Sequence, residues 1–228
     1  NAKSYMSKMF KSSQPIKNCL LLEFETQKEL ALAFCRVEEY YEGQPKLNRN
    51  YTSFVDFIDF FMKNDGTIEY FNYWSGFNIP GDVFMEWHQQ NMSDITKWEF
   101  ALAYEVQRKL DLSKPFYVIG GKKGDMNVID HEIAHALYYM NTEYKDLMDA
   151  ANYQFYKNLR MEYSKMVKKL KKMGYGDNVI KDEIQAYMST STKKELVKTF
   201  KMDFDRIKGF RDLYRKVLSR YNTSKKRT

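Results

Sequence analysis

Residues 131–135 read His131-Glu132-Ile133-Ala134-His135, and this spacing is the strongest chemical signal in the chain. On a helix, histidines four positions apart lie on one face about one turn apart, so both imidazoles can reach a single ion. Glu132 stands between them and can approach a water on that ion without being a ligand, the placement of a general base. The chain of 228 residues has only 3 His, so two of them at this spacing are set apart from the rest of the composition. The third, His88, lies upstream in Met85-Glu86-Trp87-His88.

Two histidines do not complete a catalytic zinc site, which takes three protein ligands and keeps a fourth position for water. The position six residues past His135 is Asn141, so no third histidine follows. The remaining donor type is a carboxylate on a second helix packed against the first. Glu183, in Lys181-Asp182-Glu183-Ile184-Gln185-Ala186-Tyr187, is the expected ligand, because small and apolar neighbours allow close approach; Asp182 is the alternative. Glu143 and Asp146 fall just past the metal helix, and Asp149 and Glu162 lie on a polar-looking face, so all four are weaker candidates.

The elements that must position these residues follow from periodicity and caps. A helix is predicted over Gln27–Glu42, and another through Met62 capped by Thr52 or Ser53 and closed by Asn64-Asp65-Gly66. Thr67–Trp74 alternates like a strand, Pro80 starts a short helix, and Ser93 or Asp94 opens the next, with Trp98, Leu102, Val106 and Leu110 as its stripe. Phe116–Ile119 reads as an apolar strand closed by a glycine-rich turn. Asn127 is the expected cap of the metal helix, which runs to Met140, with Asp130 in a capping-box-like position. One long helix is predicted over Glu143–Met173 with Leu147 inward, a further one capped by Asp177 through Met188, and a basic amphipathic helix over Lys193–Tyr221. No linker-like stretch or internal repeat interrupts this order, so the expectation is one α+β, mostly helical domain over residues 1–228, with 193–228 as a basic C-terminal helix and tail.

Composition narrows the class. Apolar residues at 43% and charged residues at 29% allow a buried core, and no run of about 18 apolar residues exists to span a bilayer. The net charge of +7 concentrates in the segment from Lys193 onward, which holds 13 Lys/Arg against 4 Asp/Glu. Such a segment can meet nucleic acid, though a solvated helix is the simpler reading. Cys19 and Cys35 have no CxxC spacing, which fits a reducing, cytoplasmic setting. The basic opening NAKSYMSKMFKSSQPIK is not followed by a signal-type apolar region. Trp74–Pro80 reads as a packed corner, Glu38 and Glu39 as a solvated face or partners of Arg36, and Ser189-Thr190-Ser191-Thr192 as a hydroxyl-rich helix terminus rather than a nucleophile elbow. No P-loop, GxGxxG or GxSxG is present.

The run His131-Glu132-Ile133-Ala134-His135-Ala136-Leu137, followed by a glutamate on its own downstream helix, resembles the zincin superfamily of metallopeptidases in its gluzincin branch. The text VIDHEIAHALYY…DEIQAY is also similar to small uncharacterised zincin-like proteins of bacteria and bacteriophages, over roughly a third of the chain (116–187). The resemblance implies a zincin-like fold with a small sheet packed on the metal helix, zinc held by His131, His135 and Glu183, and Glu132 as general base and acid in peptide hydrolysis. Glu183 lies 48 positions past His135, farther than in thermolysin-like members. It further implies a peptide added to an edge strand at Phe116–Gly120, a place whose apolar character also suits a central strand. An oxyanion donor is sought among Tyr187, Tyr175 and His88. The expected activity is therefore that of a zinc-dependent hydrolase acting on peptide or protein. The alternatives are a catalytically inactive zincin-fold protein that docks protein or nucleic acid through its basic C-terminal helix, and a zinc hydrolase of non-peptide amides.

Overall fold

The computed structural model describes residues 9–42, 53–62, 66 and 68–222. The expectations placed on Thr52, Asn64, Asp65 and Thr67, on the first eight residues, and on the tail 223–228 lie outside the described residues. The fold is α+β and mostly helical, with one four-stranded mixed sheet. Two compact units divide the chain, the first ending at Ile129 and the second beginning at Asp130. The division falls inside a helix rather than at a linker. No helix of the described residues is long and apolar enough to cross a membrane.

The first unit holds the sheet: β1 (Lys11–Ser13), β2 (Cys19–Phe24), β3 (Gly76–Pro80) and β4 (Tyr117–Lys122), in the order β1-β2-β4-β3. β2 and β4 run parallel, with Leu22 opposite Gly120, and the other two pairs are antiparallel. β2 is the run Cys-Leu-Leu-Leu-Glu-Phe, apolar almost throughout, because an inner strand is covered on both faces. The strand expected at Thr67–Trp74 is instead a 3-10 turn over Glu69–Asn72, anchored by the buried Tyr70. The real strand is the next segment, read from the sequence as a corner, and Pro80 is tolerated because β3 pairs on one side only among the described residues. β4 is flanked by β2 and β3, so the edge-strand role expected for Phe116–Gly120 is corrected: it lies inside the sheet.

β4 also continues through Gly120 and Gly121, which were expected to begin the turn. The reason is close approach. Helix α1 (Gln27–Glu42) presses so near that a Cβ on Gly120 would lie 2.6 Å from Phe34 Cε2 and 2.8 Å from Leu30 Cδ1. A Cβ on Gly121 would meet Ile129 Cγ1 at 2.9 Å. The turn itself falls to Gly124, whose φ of +82° is the left-handed region that glycine enters freely.

Among the described residues this unit also holds α2 (Phe54–Phe61), α3 (Gly81–Asn91) and α4 (Lys97–Lys109). Ser53 caps α2 by accepting from the Asp56 amide, as expected. α4 is capped by Thr96, in a capping box with Glu99, rather than by Ser93 or Asp94. Asp94 instead accepts from the buried Arg36, which donates bidentately to Glu99 at 2.8 and 2.9 Å. Glu38 and Glu39 are buried, not solvated; Glu39 accepts from the Tyr70 hydroxyl at 2.7 Å, and burial raises its pKa. Cys19 and Cys35 are buried free thiols.

Helix α5 (Met126–Met140) starts at Asp125, not Asn127: the Asp125 carbonyl accepts from Ile129 and its carboxylate from Val128. Asp130, now buried, accepts from Asn222 at 3.2 Å. In the second unit the predicted long helix is two, α6 (Thr142–Asn158) and α7 (Arg160–Met173), separated at Leu159 with φ −131° and ψ 53°. Asn158 donates its amide to the Gln154 carbonyl at 2.8 Å, the kind of side-chain bond that competes with the helical ladder. Leu147 lies at the surface. Gly174, at φ +106°, ends α7. Helix α8 (Ile180–Thr190) has no side-chain cap; Asp177 pairs with Lys171 instead. The basic segment is also two helices, α9 (Lys193–Lys198) and α10 (Phe204–Tyr221), the second restarted by Asp203 as N-cap. α10 buries Ile207, Tyr214 and Leu218 and exposes Arg206, Lys208, Arg215 and Arg220.

Gly120→Ala overpacks the contact with Phe34 and Leu30, and chemical denaturation should show a loss of about 1–3 kcal/mol. Gly209→Ala, in α10 with open space at its Cβ position, should gain about 0.5–1 kcal/mol.

Candidate metal centre

The second unit brings the HExxH residues of α5 against α8. Ala134 of α5 and Ala186 of α8 are both fully buried. Among the described residues, His131, His135 and Glu183 form a cluster in which one ligand atom from each lies within 4.8 Å of the others. The two Nε2 atoms are 3.2 Å apart; Glu183 Oε1 lies 3.6 Å from His135 Nε2 and its Oε2 lies 3.9 Å from His131 Nε2. Ligands about 2.0–2.1 Å from a tetrahedral zinc are separated by about 3.3–3.4 Å. The two imidazole nitrogens therefore stand near the span of a tetrahedral edge, with the carboxylate oxygens farther out, and two imidazoles with one carboxylate are a donor set that suits zinc.

The outer nitrogens are held as well. His135 Nδ1 lies 2.9 Å from Asp182 Oδ1, and His131 Nδ1 lies 3.3 Å from the Thr190 hydroxyl. Asp182, the alternative ligand, thus sits behind His135 rather than among the ligand atoms. A carboxylate on Nδ1 orients the ring and makes its Nε2 a better donor. Burial favours neutral His135, yet the nearby Asp182 and Glu183 carboxylates outweigh it and raise its pKa well above the usual imidazole range. Burial and the charge of His135 push His131 well below that range.

Gln185 ties these parts together. Fully buried, it donates to Asp182 Oδ1 at 2.8 Å and to the Ala134 carbonyl of the metal helix at 3.3 Å, and accepts from the Tyr144 hydroxyl at 2.7 Å. Asn152 of α6 extends the network, donating to the Lys181 carbonyl at 3.0 Å and accepting from Tyr214 of α10 at 2.7 Å. Neither amide was singled out in the sequence; Gln185 had one legible signal, its place two residues beyond Glu183.

Glu132 is buried on α5 and close enough to His135 and Tyr187 to act on both electrostatically. The Tyr187 ring packs edge-on against His131, with centroids 4.6 Å apart. Burial pushes its phenol up to about 12, and it shares a hydrogen bond with Tyr175, so two of the three oxyanion candidates are neighbours. The third, His88, belongs to α3 of the first unit, where it stacks on Phe84 and burial lowers its pKa. Three of the four other carboxylates are engaged elsewhere. Asp149 accepts from Tyr138 and Lys145, Glu162 from Lys165 and the Asp203 amide, and Glu143 faces Arg220.

Comparison with protein-family models, with curated proteins and with solved structures finds no match to this chain.

Replacing Gln185 by Leu leaves the Tyr144 hydroxyl and the Ala134 carbonyl without their buried partner. Thermal and urea unfolding should show a loss of about 1–3 kcal/mol for each group left unsatisfied.

Proposed function

We propose that the chain is a zinc-dependent hydrolase of the metallopeptidase class, with His131, His135 and Glu183 as zinc ligands in a zincin-like arrangement. The observation that carries this reading is the convergence of both Nε2 atoms and the Glu183 carboxylate within 4.8 Å of one another, with both Nδ1 atoms held from behind. Bound there, zinc would supply Lewis acidity, bringing the pKa of water from near 16 towards about 7 and polarising a carbonyl.

The chain's own residues have the remaining work. Glu132 takes a proton from the attacking water on a carboxylate oxygen and returns it to the departing amine, one group serving as base and then acid. Its burial limits competing hydration and strengthens its interaction with nearby charge. The Tyr187 phenol, with its pKa near 12, stays protonated at neutral pH and is available as a donor to a developing oxyanion. Tyr175, hydrogen-bonded to it, fixes its direction.

Protein prepared with zinc should carry one equivalent by elemental analysis, and His131→Ala, His135→Ala and Glu183→Ala together should abolish it. Free zinc at about 100 times its dissociation constant should stabilise the fold by about 2.7 kcal/mol, and a chelator should reverse this. No zinc in metal-replete protein refutes the proposal. Glu132→Gln should keep zinc and lose roughly 100-fold or more in peptide cleavage. Stoichiometric zinc in a wild type that cleaves no peptide or other amide would assign the site to a binding protein instead.

A further inference from the structure

We infer that Thr190, outside the HExxH segment and seven residues past Glu183, is the positioning residue that locks the tautomer of His131 so that its Nε2 lone pair faces the ligand cluster. The argument turns on where the one hydroxyl proton of Thr190 goes. Thr190 Oγ1 lies 2.7 Å from the Ala186 carbonyl of its own helix, an acceptor only, so the hydroxyl donates there. It can then serve His131 Nδ1, 3.3 Å away, only by accepting. Nδ1 must therefore carry the hydrogen, and the neutral ring presents an unprotonated Nε2 on its other side. That atom is the one 3.2 Å from His135 Nε2 and 3.9 Å from Glu183 Oε2.

The two histidines are thus wired by different chemistry from one helix. Asp182, in the first turn of α8, holds the Nδ1–H of His135 with a charged acceptor; Thr190, in its last turn, holds that of His131 with a neutral one. The neutral acceptor matters because Glu132, Asp182 and Glu183 already act on His135. A fourth carboxylate behind His131 would add further negative charge to a site meant for one divalent cation. Thr190 is the last residue of α8, directly before Ser191 turns to an extended conformation with ψ 146°, and its back-bond to Ala186 holds the hydroxyl against its own helix. The zinc readout below rests on the proposed function; the tautomer readout does not.

The test uses the full chain labelled with nitrogen-15 at histidine. Wild-type protein should show His131 as the Nδ1–H tautomer by its long-range proton–nitrogen couplings, and a His131 carrying its hydrogen on Nε2 overturns the inference whatever the variants do. Thr190→Val, nearly isosteric but without the hydroxyl, should mix the tautomers and weaken zinc binding about 10- to 100-fold in a chelator competition. Thr190→Ser, which keeps the hydroxyl, should bind within a few-fold of wild type. Equal affinities and tautomers in wild type and Thr190→Val overturn the inference. A wild type that binds no zinc but shows the Nδ1–H form, lost in Thr190→Val, refutes the metal reading while upholding the role of Thr190.

Discussion

The candidate site depends on one constraint: α8 must lie against the HExxH helix closely enough for a glutamate on it to reach between two imidazoles. Ala134 on the one helix and Ala186 on the other are fully buried. Gln185 then fixes the helices in register by bonding the Ala134 carbonyl. Because a buried amide is costly to leave unpaired, a slip of α8 along α5 would break several bonds at once. Close packing is thus converted into a defined position for Glu183.

The same low-polarity surroundings govern charge. Two histidines with touching Nε2 atoms cannot both be protonated, and burial sharpens the choice between them. Carboxylates gather behind and beside His135 and raise its pKa, while burial and the charge of His135 lower that of His131. Tyr187, packed on His131 and on Phe200, adds an uncharged donor whose proton is retained at neutral pH.

In the first unit, close approach plays the same part with glycine in place of alanine. Gly120 lets α1 press onto the central strand, where the Phe34 and Phe77 rings stack 5.4 Å apart. Arg36 and Glu99 form a buried bidentate pair between α1 and α4, with Asp94 as a further acceptor. Removing one member of such a pair is far more harmful than never having built it, since the survivor is left charged and desolvated.

Local chemistry determined a good part of this from the sequence alone. The helix Gln27–Glu42, the mostly helical class and the candidates His131, His135 and Glu183, which the structure brings into one cluster, all follow from spacing, periodicity and small-residue placement, which act over a few residues. What failed was whatever depended on a partner distant in the chain. Ile68–Trp74 alternates yet makes only an isolated bridge from Ile68 to Met62, because strand formation needs a neighbour, and β4 pairs with the following segment instead. Gly120 looked like part of a turn because the helix that excludes a side chain there lies some 80 to 90 positions earlier. Asp182 and Glu183 are adjacent and chemically alike, and only the docking angle of α8 sends one to the ligand face and the other behind His135. Thr190 read as part of a polar helix end, since a hydroxyl's role is decided by what meets it across space. Sequence specified which groups could do the chemistry; tertiary packing decided which of them meet, because hydrogen bonding and coordination act over about 3 Å and successive turns of a helix are already 5.4 Å apart.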